Sequence, residues 1–98
     1  MKLELVKFGT TLISRELGRE AFKAFESTLQ RFSDEEILEI DFSGVLTLLP
    51  SWADEFLTPL LDLLKDRFIL LQSDNLSVQA TIKILQQANN KEFEIKLK

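Results

Sequence analysis

Residues 37–44 read Ile37-Leu38-Glu39-Ile40-Asp41-Phe42-Ser43-Gly44, and shortly after them stands Pro50-Ser51-Trp52-Ala53-Asp54-Glu55-Phe56. The first stretch reads as a strand from Ile37 to Phe42, with Ile37, Leu38, Ile40 and Phe42 apolar, and Ser43-Gly44 breaks it. Val45 to Leu49 is a hydrophobic connection. The second stretch reads as a helix start. Ser51 is placed as an N-cap that accepts from the backbone N–H of Asp54, and Asp54 lies where a negative side chain favours the helix dipole. The helix continues through Ala53, Phe56, Leu57, Leu60, Leu61 and Leu64. Pro59 inside it predicts a kink or a break near Thr58.

The same strand-then-helix unit recurs on both sides. Downstream, Phe68-Ile69-Leu70-Leu71 is a continuous apolar run suited to a strand buried on both faces. Asn75 or Ser77 caps a further helix ending near Asn89-Asn90, with Val78, Ile82 and Leu85 facing inward. Phe93-Glu94-Ile95-Lys96-Leu97 alternates strictly, as an exposed edge strand does. Upstream, residues 3–8 alternate as a half-buried strand, Gly9-Thr10 turns the chain, and Thr11-Leu12-Ile13 forms a second short strand, giving an opening hairpin. Ser14 caps a helix reaching about Phe32, in which Leu17, Ala21, Phe25, Leu29 and Phe32 recur every three or four residues. Ser33-Asp34 ends it. The order ββαβαβαβ predicts an α/β fold: a mixed sheet, parallel in the middle through right-handed crossovers and antiparallel at the start, with helices packed against it.

The composition fits one small domain, residues 1–98. Such a chain buries roughly 65% of its unfolded surface on folding, and 45% hydrophobic residues with eight Phe suffice to fill the interior. The chain has neither Cys nor His. Disulfides, thiolate metal sites and Cys nucleophiles are thereby excluded, along with the commonest general base and the commonest transition-metal ligand. No metal, no cofactor and no enzymatic activity are expected. Twelve basic against sixteen acidic residues leave a net charge of −4, with no Lys/Arg cluster to neutralise phosphates, so nucleic acid is not an expected partner. Met1-Lys2-Leu3-Glu4 alternates in charge and lacks a signal peptide's apolar run. Apolar stretches fall far short of the roughly twenty residues that span a bilayer. A soluble, cytoplasmic protein is the expectation.

Phe8-Gly9-Thr10, Ser14-Arg15 with Gly18-Arg19, Asp41-Phe42-Ser43-Gly44-Val45 and above all Pro50-Ser51-Trp52-Ala53-Asp54-Glu55-Phe56 resemble, in order and spacing, the STAS fold of anti-sigma-factor antagonists. They are more closely similar to the STAS-like family of unknown function DUF4325, whose pattern has an aromatic after the Ser and then Ala-Asp-Glu. The resemblance covers nearly the whole chain. In STAS antagonists a Ser or Thr at the start of the second helix is phosphorylated by a partner kinase, which weakens binding to that partner. Gapless counting from Asp41 puts this position on Ser51. The chain departs from the antagonist pattern here, having Leu49-Pro50-Ser51-Trp52 where an Asp-Ser-Ser-Gly type of turn is usual.

Ser51 is therefore the candidate phosphoacceptor, with simple helix capping as the plainer reading. Trp52 either lies exposed beside it as a binding anchor or folds back into the core. Asp54 and Glu55, with Arg15 and Arg19, are candidate partner contacts; otherwise the carboxylates support the helix dipole and the arginines form a solvated ion pair across the helix ends. Parallel crossovers start helices at one sheet edge, so Arg15 and Arg19, four residues apart, should lie near Ser51 and Asp54. Gly18 either permits close helix–helix contact or delays the helix start. The expected function is a non-enzymatic regulatory module that binds a protein partner through the Ser51–Phe56 helix start. By resemblance, that partner is an ATP-binding kinase of the anti-sigma type. The rival expectation is a structural or scaffolding subunit that self-associates through the edge strand Phe93–Leu97. A small-ligand or nucleotide binder is disfavoured because no Gly-rich phosphate loop is present.

Overall fold

The computed structural model describes all residues, Met1–Lys98. The strands are β1 (Lys2–Glu4), β2 (Thr11–Leu12), β3 (Leu38–Asp41), β4 (Thr47–Leu48), β5 (Phe68–Leu71) and β6 (Glu94–Lys96). The helices are α1 (Arg15–Leu29), α2 (Pro50–Leu64) and α3 (Leu76–Asn89), with short 3₁₀ turns at Leu5–Phe8 and Lys65–Arg67. The fold is α/β. Four strands form one sheet in the order β1-β3-β5-β6, and β2 and β4 form a small second sheet.

Every pairing is parallel, with Leu3 opposite Ile40, Ile40 opposite Leu70, and Leu70 opposite Ile95. The expected opening hairpin does not form. Its alternation fails at Leu5-Val6, two adjacent apolar residues. There the chain coils into a 3₁₀ turn that buries Leu5 and lays Val6 and Phe8 against the core. β1 then pairs with β3, while β2 crosses to β4 through Thr11 opposite Thr47. Strand β4 lies in the segment expected to be a plain connection, so the chain order is ββαββαβαβ.

Each main-sheet step passes through one helix and moves the same way across the sheet. With crossovers of the usual right hand, all three helices lie on one face. Leu3, Leu38, Ile40, Phe68 and Leu70 line that face and join Phe56, Leu57, Leu60, Val78, Ile82 and Leu85 in one cluster of 22 buried residues. The opposite face carries charge: Lys96 pairs with Glu39 at 3.5 Å, and Lys2 with Asp41 at 3.4 Å.

Helix α1 is capped by Ser14, whose hydroxyl accepts from the Leu17 N–H, and it stops at Leu29, one turn short of Phe32. Its buried stripe is Gly18, Ala21 and Phe25; Leu17 points outward. Gly18 fits because nothing else would. A Cβ there would lie 2.5 Å from the Trp52 carbonyl oxygen and 3.0 Å from the Trp52 Cα. Helix α2 runs through Pro59 to Leu64 without ending there. The missing proline N–H costs a ladder bond, but the helix is held on both sides of it by buried Phe56, Leu57, Leu60 and Leu64. Asn75, not Ser77, caps α3, accepting from the Val78 N–H at 3.0 Å. Its amide also donates to the Val45 and Leu46 carbonyls, and Ser77 and Thr81 satisfy the backbone of Leu48. The start of α3 thus holds β4 in place.

Gly18→Ala separates packing from propensity. Intrinsic preference favours Ala in a helix by about 1 kcal/mol, whereas overpacking against backbone costs about 1–3 kcal/mol. Urea unfolding should show a lower midpoint for the variant.

Candidate functional site

Helices α1 and α2 begin side by side, each for a local reason. Ser14 caps α1, while α2 starts without a side-chain cap. Leu49 holds the cap position in extended backbone and Pro50 takes the first helical position. Proline presets the helical φ there, its absent N–H is one no helix bonds internally, and it biases the preceding residue to extended backbone. Ser51 is therefore inside the first turn and is not the N-cap expected from its sequence context. Its side chain is half-buried.

The charged side chains of the two helix starts meet as the crossover geometry requires. Arg15 donates to Asp54 at 3.3 Å and lies 3.4 Å from Glu55, and Arg19 Nε donates to Glu55 at 2.9 Å. Asp54 also accepts from the Thr58 hydroxyl at 2.9 Å. Both arginines are about half exposed, so water screens these pairs and each contributes about 1 kcal/mol or less. Their effect is on pattern: both carboxylates at the start of α2 are already paired.

Trp52 points the other way. It is 2% exposed, stacked on Phe56 with ring centroids 5.1 Å apart and 6.0 Å from the ring of Phe8. In this conformation it is a core residue and presents no anchor to a partner. What the rim exposes instead is a set of aliphatic side chains, Ile13, Leu17, Leu46, Leu49 and Leu76. The backbone brings the segments carrying Ile13, Leu46, Leu49 and Leu76 side by side. Leu46 and Leu49 donate to Thr10 and Leu12 of the β2 segment, while Asn75, next to Leu76, holds the Leu46 carbonyl. Leu46, Leu49 and Leu76 are 66%, 42% and 79% exposed. The sequence reading missed these exposed residues, although the apolar runs Thr11–Ile13 and Val45–Leu49 carried the signal.

A second polar cluster sits at the end of β3. Asp41 is buried, and its carboxylate accepts from the Ser43 N–H at 3.0 Å, the Ser43 hydroxyl at 2.8 Å and Lys98 at 3.0 Å. Lys2 lies 3.4 Å away. Burial pushes the Asp41 carboxyl up, but the Ser43 N–H, Lys98, the Ser43 hydroxyl and Lys2 together outweigh it and hold the group well below the usual carboxylate range. This cluster closes the turn after β3, where Gly44 takes a φ of +85°. The motif Asp41-Phe42-Ser43-Gly44 is thus accounted for by local folding.

No group of three His, Cys, Asp or Glu side chains is placed to hold a metal ion. No helix is long and apolar enough to cross a membrane. No family model, curated protein or solved structure matches this chain.

Two measurements check this geometry. Trp52→Ala should cost about 3–5 kcal/mol of stability, as truncation of a core aromatic does, and denaturant titration reads it as a large fall in midpoint. The lowered Asp41 pKa stabilises the fold above the unfolded carboxyl value of about 3.9, and that contribution is lost as pH falls. Asp41→Asn should therefore be less stable than wild type at pH 7 by about 1.5–3 kcal/mol. Its stability should also change less than that of wild type between pH 5 and strong acid.

Proposed function

We propose that the protein is a non-enzymatic, cytoplasmic regulatory module that binds a protein partner at the rim where α1, α2 and α3 begin. The observation that carries this reading is the exposure of Ile13, Leu17, Leu46, Leu49 and Leu76 on segments at the helix starts, most of which backbone and side-chain bonds hold side by side. Exposed aliphatic groups concentrated on one part of a small protein are a mark of an interaction site. The paired Arg15, Arg19, Asp54 and Glu55 stand at the same helix starts. The absence of His and Cys from the sequence removes the side chains most often used for acid–base and nucleophilic catalysis. The resemblance to STAS-like proteins supplies the partner class, an ATP-binding kinase of the anti-sigma type. Ser51, in the first turn of α2 beside Leu49, is the residue such a kinase would modify. A phosphate there adds about −1.5 to −2 charges next to an apolar contact surface, so binding weakens while the fold persists.

Leu49→Asp tests this with effects of opposite sign. An Asp at the cap position of α2 should raise stability by about 1 kcal/mol. The same charge in the apolar rim should weaken binding to an anti-sigma-type kinase by about 2 kcal/mol, measured by calorimetric titration with ADP present. Leu46→Asp should weaken binding similarly, and incubation with kinase and ATP should add one phosphate to the wild type and none to Ser51→Ala. Rim variants that bind as the wild type does would remove the reading.

A further inference from the structure

Strand β6 is an outer edge of the sheet, and its free side is ordered. Lys96 accepts from the Gln72 N–H at 2.8 Å, so the backbone of Lys96, and with it that of Glu94, faces β5. In a parallel ladder the intervening residue faces away, so the N–H and C=O of Ile95 point outward with no strand to bond. The side chains at this edge are unfinished as well. Ile95 is 51% exposed and Leu97 77% exposed. Ile95 stands at the side of a groove of about 560 Å³ between the sheet edge and α3, lined by Leu70, Val78, Ile82, Lys83 and Gln86.

We propose that a second copy of this chain occupies the edge, its β6 antiparallel to the first about a two-fold axis through Ile95. An edge strand presents a template for pairing, and charges on it normally prevent that by meeting their like. Here the order of charges reverses the effect in one register. With Ile95 opposite Ile95 of the second copy, Glu94 stands opposite Lys96 and Lys96 opposite Glu94. Continuing outward, Phe93 faces Leu97 and Glu92 faces Lys98. Outward-facing backbone meets outward-facing backbone, so the two Ile95 residues exchange N–H···O bonds. The Glu94–Lys96 pairs then fall at the non-hydrogen-bonded sites, where side chains are closest. Moving the axis to Glu94 or to Lys96 keeps the backbone bonds but sets Glu against Glu or Lys against Lys. In the favoured register both copies of Ile95 lie on the helix-covered face, each at the other's groove beside Val78 and Ile82. Lys96 remains 64% exposed while paired with Glu39, so it reaches across without leaving the fold.

The other sheet edge lacks these properties. Strand β1 ends at Glu4, where the chain coils away, and its one core-facing residue, Leu3, is already buried. The proposal involves none of the rim residues at the helix starts and stands whether or not a kinase binds there.

Sedimentation equilibrium on the full chain tests it. The wild type should self-associate to a dimer, and Glu94→Lys and Lys96→Glu, each of which sets like charges against one another at both pairs, should weaken association about tenfold. An equimolar mixture of the two single variants should recover wild-type affinity, because one copy then offers two Lys and the other two Glu. The double variant E94K/K96E should recover it alone. Recovery cannot arise from misfolding, which would persist in the mixture. A wild type that stays monomeric, single variants that dimerise as the wild type does, or a mixture that fails to recover would each overturn the proposal.

Discussion

Helices α1 and α2 touch backbone to backbone at Gly18, where any side chain would collide with the carbonyl of Trp52. The rest of the candidate site depends on that approach. With the Trp52 backbone held against Gly18, its ring lies in the core against Phe56 and Phe8. The same approach sets Arg15 and Arg19 over Asp54 and Glu55. It also aligns the two helix starts. An interior glycine weakens a helix by about 1 kcal/mol relative to alanine, a local cost offset by the close packing it permits.

A sheet wound in one direction has its helices on one face, and the consequences run through the molecule. The covered face supplies the core. The other face carries paired charges, Lys2 and Lys98 with Asp41 and Lys96 with Glu39, in place of the second helical layer that parallel sheets usually have. Short strands are held by side chains rather than by long ladders. Asn75, Ser77 and Thr81 bond the backbone of β4 and the segment before it, so α3 acts as the missing neighbour of a two-residue strand.

Much of this was legible in residue order. The apolar runs 37–42 and 68–71, the spacing of the helices and the Ser14 cap defined an α/β chain, and parallel crossovers placed Arg15 and Arg19 beside Asp54. Gly18 as a contact residue was one of two open readings. The N-terminal pairing was not legible, because a short alternating strand pairs equally well with a sequence neighbour or a distant partner, and only the buried position of Leu5 decides. Ser51 looked like a cap because Ser favours that role, but Pro50 fits the first helical position and moved the start two residues earlier. Pro59 predicted a kink or a break; the helix does not break there, because the packing of Phe56, Leu57, Leu60 and Leu64 outweighs one lost hydrogen bond.

By itself the sequence determined the class of fold, the chemistry unavailable to a chain without His or Cys, and the charges that meet at the helix starts. These depend on residue type and on periodicity, which are local. Only the tertiary structure decided which apolar residues the surface keeps. Trp52 goes inside while Leu46, Leu49 and Leu76 stay outside, although Trp is the larger apolar side chain. Burial follows from which direction each Cα–Cβ bond points once α1, α2 and the small sheet are fixed against one another, and no single stretch of the chain contains that direction.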